Sequence, residues 1–299
     1  MLSLQFIYNQ SINFLKTVVL LSLLSGLLTL IGYLLMRGVI GALFGLLIAI
    51  TINFSAWFYS DKIVLKVYKA RTPDSREKAR LQPIIEVLSS RAKLPVPKLY
   101  IIPTSVPNAF ATGRSPKHGI VGVTEGLMRL LPDDELEGVI AHELTHIKNR
   151  DTLTQTIAST LAGAISLLAQ IGVDMMFRGL FSSRNSGWRL ITLLPTLFLA
   201  PITATIIQLA ISRTREYSAD AGAAALTGNP RALANALGRL QNNRSVRINV
   251  NAAFQPLLII NPFKKELVTR LFSTHPPTEA RIQKLLKLEL QLRSNPNSY

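Results

Sequence analysis

The chain has 299 residues, room for one large domain or two modest ones, and its 48% hydrophobic content and mean hydropathy of +0.29 stand beside 17% charged residues, so apolar and polar segments must alternate along it. Zero cysteines exclude a disulfide framework, a thiolate metal site and a cysteine nucleophile, leaving His and carboxylates to hold any metal. The net charge of +16 comes without an aromatic-interleaved basic box or zinc-finger spacing, which argues against a nucleic-acid partner and for membrane flanks rich in Lys and Arg.

Two uncharged stretches come first, Thr17 to Met36 and, after Arg37, Gly38 to Ser60. At 1.5 Å rise per residue each can cross a hydrocarbon core of about 30 Å, and residues 1–60 read as a transmembrane hairpin. A cleaved signal peptide is the competing reading of the first stretch, but the stretch is long for one, lacks a small-x-small cleavage site and leads straight into another span. Residues 61–151 are charged and mixed, with strand-like segments at Lys98 to Ile102 and Gly119 to Val123 and a turn-rich stretch between them. They read as the first part of a folded polar domain. Two more apolar stretches follow, Leu153 to Val173 and Leu190 to Ser212, around a basic loop with Arg178, Arg184 and Arg189; residues 152–212 are expected to form a second transmembrane hairpin. The first of these carries Thr, Gln and Ser throughout and ends at Asp174, so a buried helix of the polar domain is its alternative. Residues 213–299 return to polar character as the second part of that domain and close with an amphipathic helix from Thr278 to about Arg293. The expected fold is mainly α with a small β-sheet (α+β), with about four transmembrane helices.

Within the polar domain, Pro132 and Asp133 mark a helix start, with acids at its positive end. That helix carries His142-Glu-Leu-Thr-His146. Histidines four apart share one helix face, as two nitrogen ligands of a tetrahedral zinc require, and Glu143 faces the side where the hydrolytic water would sit and can act as general base. A third protein ligand is still needed. In Ser212-Arg-Thr-Arg-Glu-Tyr-Ser-Ala-Asp220, Glu216 and Asp220 are again four apart, so one carboxylate can bind metal while the other accepts a hydrogen bond from a ligand histidine. The plainer alternative is that both acids pair with Arg213 and Arg215 on a solvated face.

The charge distribution orients the chain. Thirteen Lys and Arg lie near the spans on the side of the polar segments, against four at the hairpin tips, which puts the polar domain in the cytoplasm. His146 and Glu216 both lie close in sequence to apolar stretches, so the metal is expected near the cytoplasmic membrane surface, outside the bilayer.

His142 to Asp151, Ser212 to Asp220, Asn108-Ala-Phe-Ala-Thr-Gly113 and Ser273-Thr-His-Pro-Pro-Thr-Glu-Ala-Arg-Ile282 together resemble the HtpX-type membrane metallopeptidases of the M48 family, over nearly the whole chain. The resemblance implies a zincin-like domain with one Zn2+ per chain, Glu216 as third ligand beside His142 and His146, and Asp220 as the carboxylate behind a ligand. It also implies that Asn108, Ala109 and Phe110 belong to an edge strand along which substrate lies, and that His275 stabilises the tetrahedral intermediate. The alternative for His275 is a cap on the Pro-Pro turn, and His118 is expected to have no catalytic role. The implied partners are protein or peptide substrates, membrane proteins among them, and the lipid bilayer of the inner (plasma) membrane, crossed several times. The implied task is quality control of membrane proteins, as part of a stress response. Two rivals remain: a non-proteolytic zinc-containing adaptor, against which Glu143 argues because a structural site needs no base, and a transporter, against which the lack of mid-span ionisable residues argues.

Overall fold

The computed structural model describes residues 38–154, 157, 213–243 and 276–294, with residues 15, 18, 19, 21–30, 32, 33 and 36 near the N-terminus. Nearly all of the second apolar pair, and His275, lie outside these residues.

A short apolar helix α1 (Leu21–Leu30) is followed by α2 (Val39–Val67), and within α2 the segment Val39–Tyr59, of mean hydropathy 2.2, is long and apolar enough to cross a membrane. The two helices approach closely because α2 offers Gly41 and Gly45, spaced four apart. A Cβ at Gly45 would strike the Leu28 carbonyl, and one at Gly41 the Gly32 carbonyl. Asn53 adds a polar tie, donating from Nδ2 to the Leu21 carbonyl at 3.2 Å and to Ser25 Oγ at 2.9 Å. Leu43, Phe44, Leu47, Ile50 and Phe54 of α2 stay exposed.

The helix α2 does not stop where its apolar stretch stops. Its 29 residues, about 43 Å at helical rise, run through the charged segment from Asp61 to Val67 and deliver the chain to the sheet. There Arg71 and Ile101 exchange two backbone hydrogen bonds of 2.8 Å, and the Tyr68 and Phe110 rings lie 5.1 Å apart.

Next comes α3 (Ser75–Ala92), opened by a capping box in which Asp74 accepts from the Glu77 N–H and Glu77 from the Asp74 N–H. The sheet follows: β1 (Lys98–Ile102), β2 (Ala109–Thr112) and β3 (Ile120–Thr124), in spatial order β1-β3-β2. β3 pairs parallel with β1 and antiparallel with β2, leaving β2 at an edge. β1 has the expected bounds and β3 starts one residue later than expected. β2 falls in the stretch read as turn-rich, since four residues with two alanines carry little strand signal of their own; pairing with β3 makes the strand.

Five more helices complete the described chain: α4 (Glu125–Leu130), α5 (Asp133–Lys148), α6 (Arg213–Thr227), α7 (Pro230–Asn242) and α8 (Thr278–Ser294), the last close to the expected final helix. α5 lies at the centre, packed on α3, α6, α7 and strands β2 and β3, and twelve of its residues are buried. A helix enclosed on so many sides has no polar face to spare, so its His and Glu residues are inside the domain. Leu136, Ile140 and Leu144 of α5 join Leu81 and Ile85 of α3, Val121 and Val123 of β3 and Leu237 of α7 in one core. Thus the described part of the fold is mostly helical with one small mixed sheet.

Candidate metal centre

α5 has no side-chain cap at Pro132, but Asp133, Asp134 and Glu135 fill its first turn, where the helix dipole favours acids. Two turns on, His142 and His146 project from one face with rings 4.7 Å apart and nearly perpendicular. α6 crosses this face at Gly222, where a Cβ would strike the side chain of Thr145. The absent side chain lets the helices close, and Glu216 and Asp220 reach the histidines. His142, His146 and Glu216 each offer a ligand atom, all within 4.8 Å of one another, and all three are buried.

The geometry of these donors can be compared with a metal's demands. His142 Nε2 and His146 Nε2 lie 3.2 Å apart, and Glu216 approaches them at 3.6 Å through Oε2 and Oε1 respectively. Tetrahedral ligands about 2.0–2.1 Å from a zinc ion would stand roughly 3.3–3.4 Å apart. The triangle therefore fits a metal of that size with little adjustment.

Each histidine is oriented from behind. Asp220 Oδ1 lies 3.1 Å from His142 Nδ1, and Asp151 Oδ2 lies 2.9 Å from His146 Nδ1. A carboxylate on Nδ1 favours the tautomer that donates from there and leaves the Nε2 lone pair facing the other donors. Behind Asp220 stands Arg281 of α8, wholly buried, donating from Nε to Oδ2 at 2.8 Å and from Nη2 to Oδ1 at 2.6 Å; its Nη1 is 3.5 Å from Glu216 Oε2. Near Asp151 stands Arg215 of α6, also buried, with Nη1 4.0 Å from Oδ1.

Electrostatics follow from this packing. Burial pushes the His142 imidazole down, but hydrogen bonds to Asp220 and Glu216 outweigh it and raise it to about 9 in the metal-free protein. Burial raises the Asp220 carboxyl, while Arg281 and then His142 pull it below the usual range. For Arg281 burial is likewise overcome, and Asp220, Glu216 and Glu143 hold it firmly cationic. Arg215 keeps a net downward shift, since burial there exceeds the pull of Asp151 and Glu216.

Glu143 follows His142 on α5 and is buried at the centre, within the field of Arg281. Asn108, Ala109 and Phe110 lie at and just before the edge strand. Asn108 accepts from the Thr124 N–H at 3.0 Å, and Phe110 is buried against Tyr68 and over Gly122. His118 sits in an exposed turn with Ser115 Oγ at 2.8 Å from Nδ1. Three residues of the site were not placed there by spacing: Asp151, Arg215, which the sequence offers only as a solvated partner of Glu216 and Asp220, and Arg281, which enters only through the resemblance carried by Ser273 to Ile282. Asp151 follows a backbone reversal at Arg150, whose φ of 59° brings the next residue back toward His146; only such a turn makes it a neighbour. Arg215 and Arg281 are charged residues that sequence places in solvent, and only the cluster of buried carboxylates accounts for them.

The description "Peptidase family M48" matches residues 75–289. The chain is 54% identical over 283 residues to a "Protease HtpX homolog" of Nostoc sp., covering 94% of this chain and 98% of that one. It is 48% identical over 283 residues to the "Protease HtpX homolog" of Pyrococcus furiosus, covering 93% and 96%. The crystal structure of S. mikatae Ste24p is similar in fold, with a TM-score of 0.52 at 20% identity, covering 93% of this chain and 67% of that one.

Proposed function

Because this chain belongs to peptidase family M48, as an HtpX-type protease, we propose that it is a membrane-anchored zinc endopeptidase that cleaves membrane or misfolded proteins at the cytoplasmic membrane surface, in the quality control of membrane proteins. The observation that carries this reading is the buried triangle of His142, His146 and Glu216 with Glu143 beside it. Zinc held by His142 Nε2, His146 Nε2 and Glu216 would supply a Lewis acid that polarises the scissile carbonyl and acidifies water.

The protein's own groups do the rest. The Glu143 carboxylate takes a proton from the attacking water as its oxygen bonds to the carbonyl carbon, then gives that proton to the nitrogen as the C–N bond breaks. Asp220 and Asp151 hold the two imidazoles in register through Nδ1. His275 is assigned to the oxyanion that forms at the carbonyl oxygen.

The edge strand is assigned to substrate. Asn108 bonds to β3 through its carbonyl, so by antiparallel alternation Phe110 and Thr112 also turn their backbone groups to β3, while Ala109 and Ala111 turn theirs outward. An extended peptide could add to β2 through those two residues.

A membrane location is supported by the exposed apolar surface of α2 and by the exposed Trp57 and Tyr59 at the end of its apolar segment, the residue types that settle at a bilayer surface. Arg114, in the loop after β2, stacks on Phe58 at 4.8 Å, which links that level to the substrate strand. We assign residues 1–60 and 152–212 to two transmembrane hairpins, and 61–151 and 213–299 to the two parts of the cytoplasmic zincin domain.

The test is casein cleavage by the zinc-loaded protein and by Glu143→Gln. The substitution is expected to lower kcat by about 10²–10⁴-fold with zinc retained. Equal activity in the two proteins would sink the mechanism.

A further inference from the structure

Behind His146 the structure has a device that the HExxH and carboxylate motifs do not announce. Asp151 is wholly buried, with Oδ2 on His146 Nδ1 at 2.9 Å and Oδ1 facing Arg215 Nη1 at 4.0 Å. A carboxylate this deep needs a cation or several donors to stay ionised, and Arg215 supplies a charge. The turn that presents Asp151 is fixed on its other side by Thr152, whose Oγ1 donates to the Gly113 carbonyl at 3.2 Å. The arrangement repeats what lies behind His142, where Arg281 grips Asp220 and Asp220 faces Nδ1. The two arginines come from different helices, Arg281 from α8 and Arg215 from α6, and because Asp220 is also on α6 that helix stands behind both imidazoles.

We infer that Asp151 and Arg215 are a positioning pair for the metal centre: Arg215 holds Asp151, and Asp151 fixes the tautomer and orientation of His146 so that Nε2 faces the metal. The inference rests on the metal-site reading above. It gives position 151 a further meaning, because Asp151 precedes and Arg215 follows the segment 152–212 that holds the second apolar pair. The contact ties the two ends of that segment together beside a ligand, so a disturbance of either end reaches His146 directly.

The experiment uses the full chain in detergent micelles. Zinc affinity is measured by chelator competition, and ligand geometry by the visible spectrum of the cobalt-substituted protein. Asp151→Ala is expected to weaken zinc binding about 10- to 100-fold, the usual cost of losing a ligand's carboxylate partner, and to shift the cobalt bands. Asp151→Asn keeps an oxygen acceptor for Nδ1–H and should bind at least about threefold tighter than Asp151→Ala yet about threefold weaker than wild type. Arg215→Met should weaken binding in the wild-type background and by clearly less in the Asp151→Ala background, because its hold on the metal centre runs mainly through that carboxylate and only in part through the charge of Glu216.

Wild-type affinity and an unshifted cobalt spectrum in Asp151→Ala would overturn the inference, as would an equal penalty from Arg215→Met in both backgrounds. Where Asp151→Ala does not fold, an Asp151→Asn protein indistinguishable from wild type overturns it. Failure of the wild-type protein to take up one zinc, or retention of that zinc by His142→Ala, would instead bring down the underlying metal site.

Discussion

His142 is the residue whose charge state most depends on whether metal is present. In the metal-free protein its imidazole is raised to about 9 against an ordinary value near 6.5, despite burial, because Asp220 and Glu216 face it. A group raised in this way stabilises the metal-free fold fully below the unfolded value, and the stabilisation is lost as pH rises through about 9. Metal requires the unprotonated ring, so the two compete. Zinc affinity should therefore rise with pH up to about 9, by about tenfold per unit from this group, with close to one proton released per zinc at pH 7.5. Calorimetric titrations in two buffers of different ionisation enthalpy measure that proton; none released would contradict the assignment. At this scale the sequence was legible wherever spacing along one helix decides proximity. His142 and His146 are four apart, as are Glu216 and Asp220, and helical periodicity alone puts each pair on one face. Asp151, Arg215 and Arg281 had no such signal, because their partners lie across a reversed turn or on another helix.

Helix α6 brings Glu216 to α5 only because residue 222 has no side chain. Ala at that position gains about 1 kcal/mol of helix propensity over Gly, but its Cβ would strike Thr145, a buried β-branched residue whose Oγ1 is already bonded to the Ala141 carbonyl at 2.8 Å. Turning Thr145 to another rotamer would disturb that bond inside a buried helix crossing, so the clash should win. Gly222→Ala is expected to cost about 1–3 kcal/mol and to weaken zinc binding, while Gly222→Ala with Thr145→Ala recovers both. Thermal unfolding with zinc titration reads the two effects; an unchanged Gly222→Ala protein would count against this crossing. The edge strand offers a second test. Ala111 turns its N–H away from β3, so Ala111→Pro removes no ladder bond; its ring must still fit a buried position, so it should destabilise the domain less than Phe110→Pro does while raising KM about fivefold in the folded protein, the worth of about one hydrogen bond. Phe110→Pro removes a bond to β3 and should destabilise the domain itself. If Ala111→Pro leaves KM unchanged, substrate does not pair there. β1, β3, α5 and α8 were legible from composition and periodicity. β2 was legible only through the family resemblance, since its neighbours create it, while the Asp74/Glu77 capping box and the Asn229-Pro230 start of α7 were signals present in the sequence for helices no reading had placed.

At the scale of the whole molecule, the long helix α2 joins an apolar surface suited to a bilayer directly to the sheet, through the Arg71 and Ile101 backbone pair and the Tyr68 ring. A chain without cysteine allows this orientation to be mapped by single introduced thiols. In intact cells a membrane-impermeant maleimide should label Ser182→Cys, in the basic loop of the second apolar pair, and not Ser75→Cys at the start of α3. Labelling of Ser75→Cys would reverse the assigned orientation, and protection of Ser182→Cys would remove the second hairpin. What the sequence determined by itself were properties that are local or additive: the apolar stretches, the excess of positive charge, the helix with two histidines one turn apart and the pair of acids that could complete a metal site. Only the tertiary structure decided which nitrogen of each histidine faces the other donors, which carboxylate stands behind which ring, and that two arginines lie buried. Those outcomes depend on helices meeting at Gly222, a contact between residues far apart in the chain, and on a backbone reversal at Arg150 that breaks the helical repeat from which proximity was read.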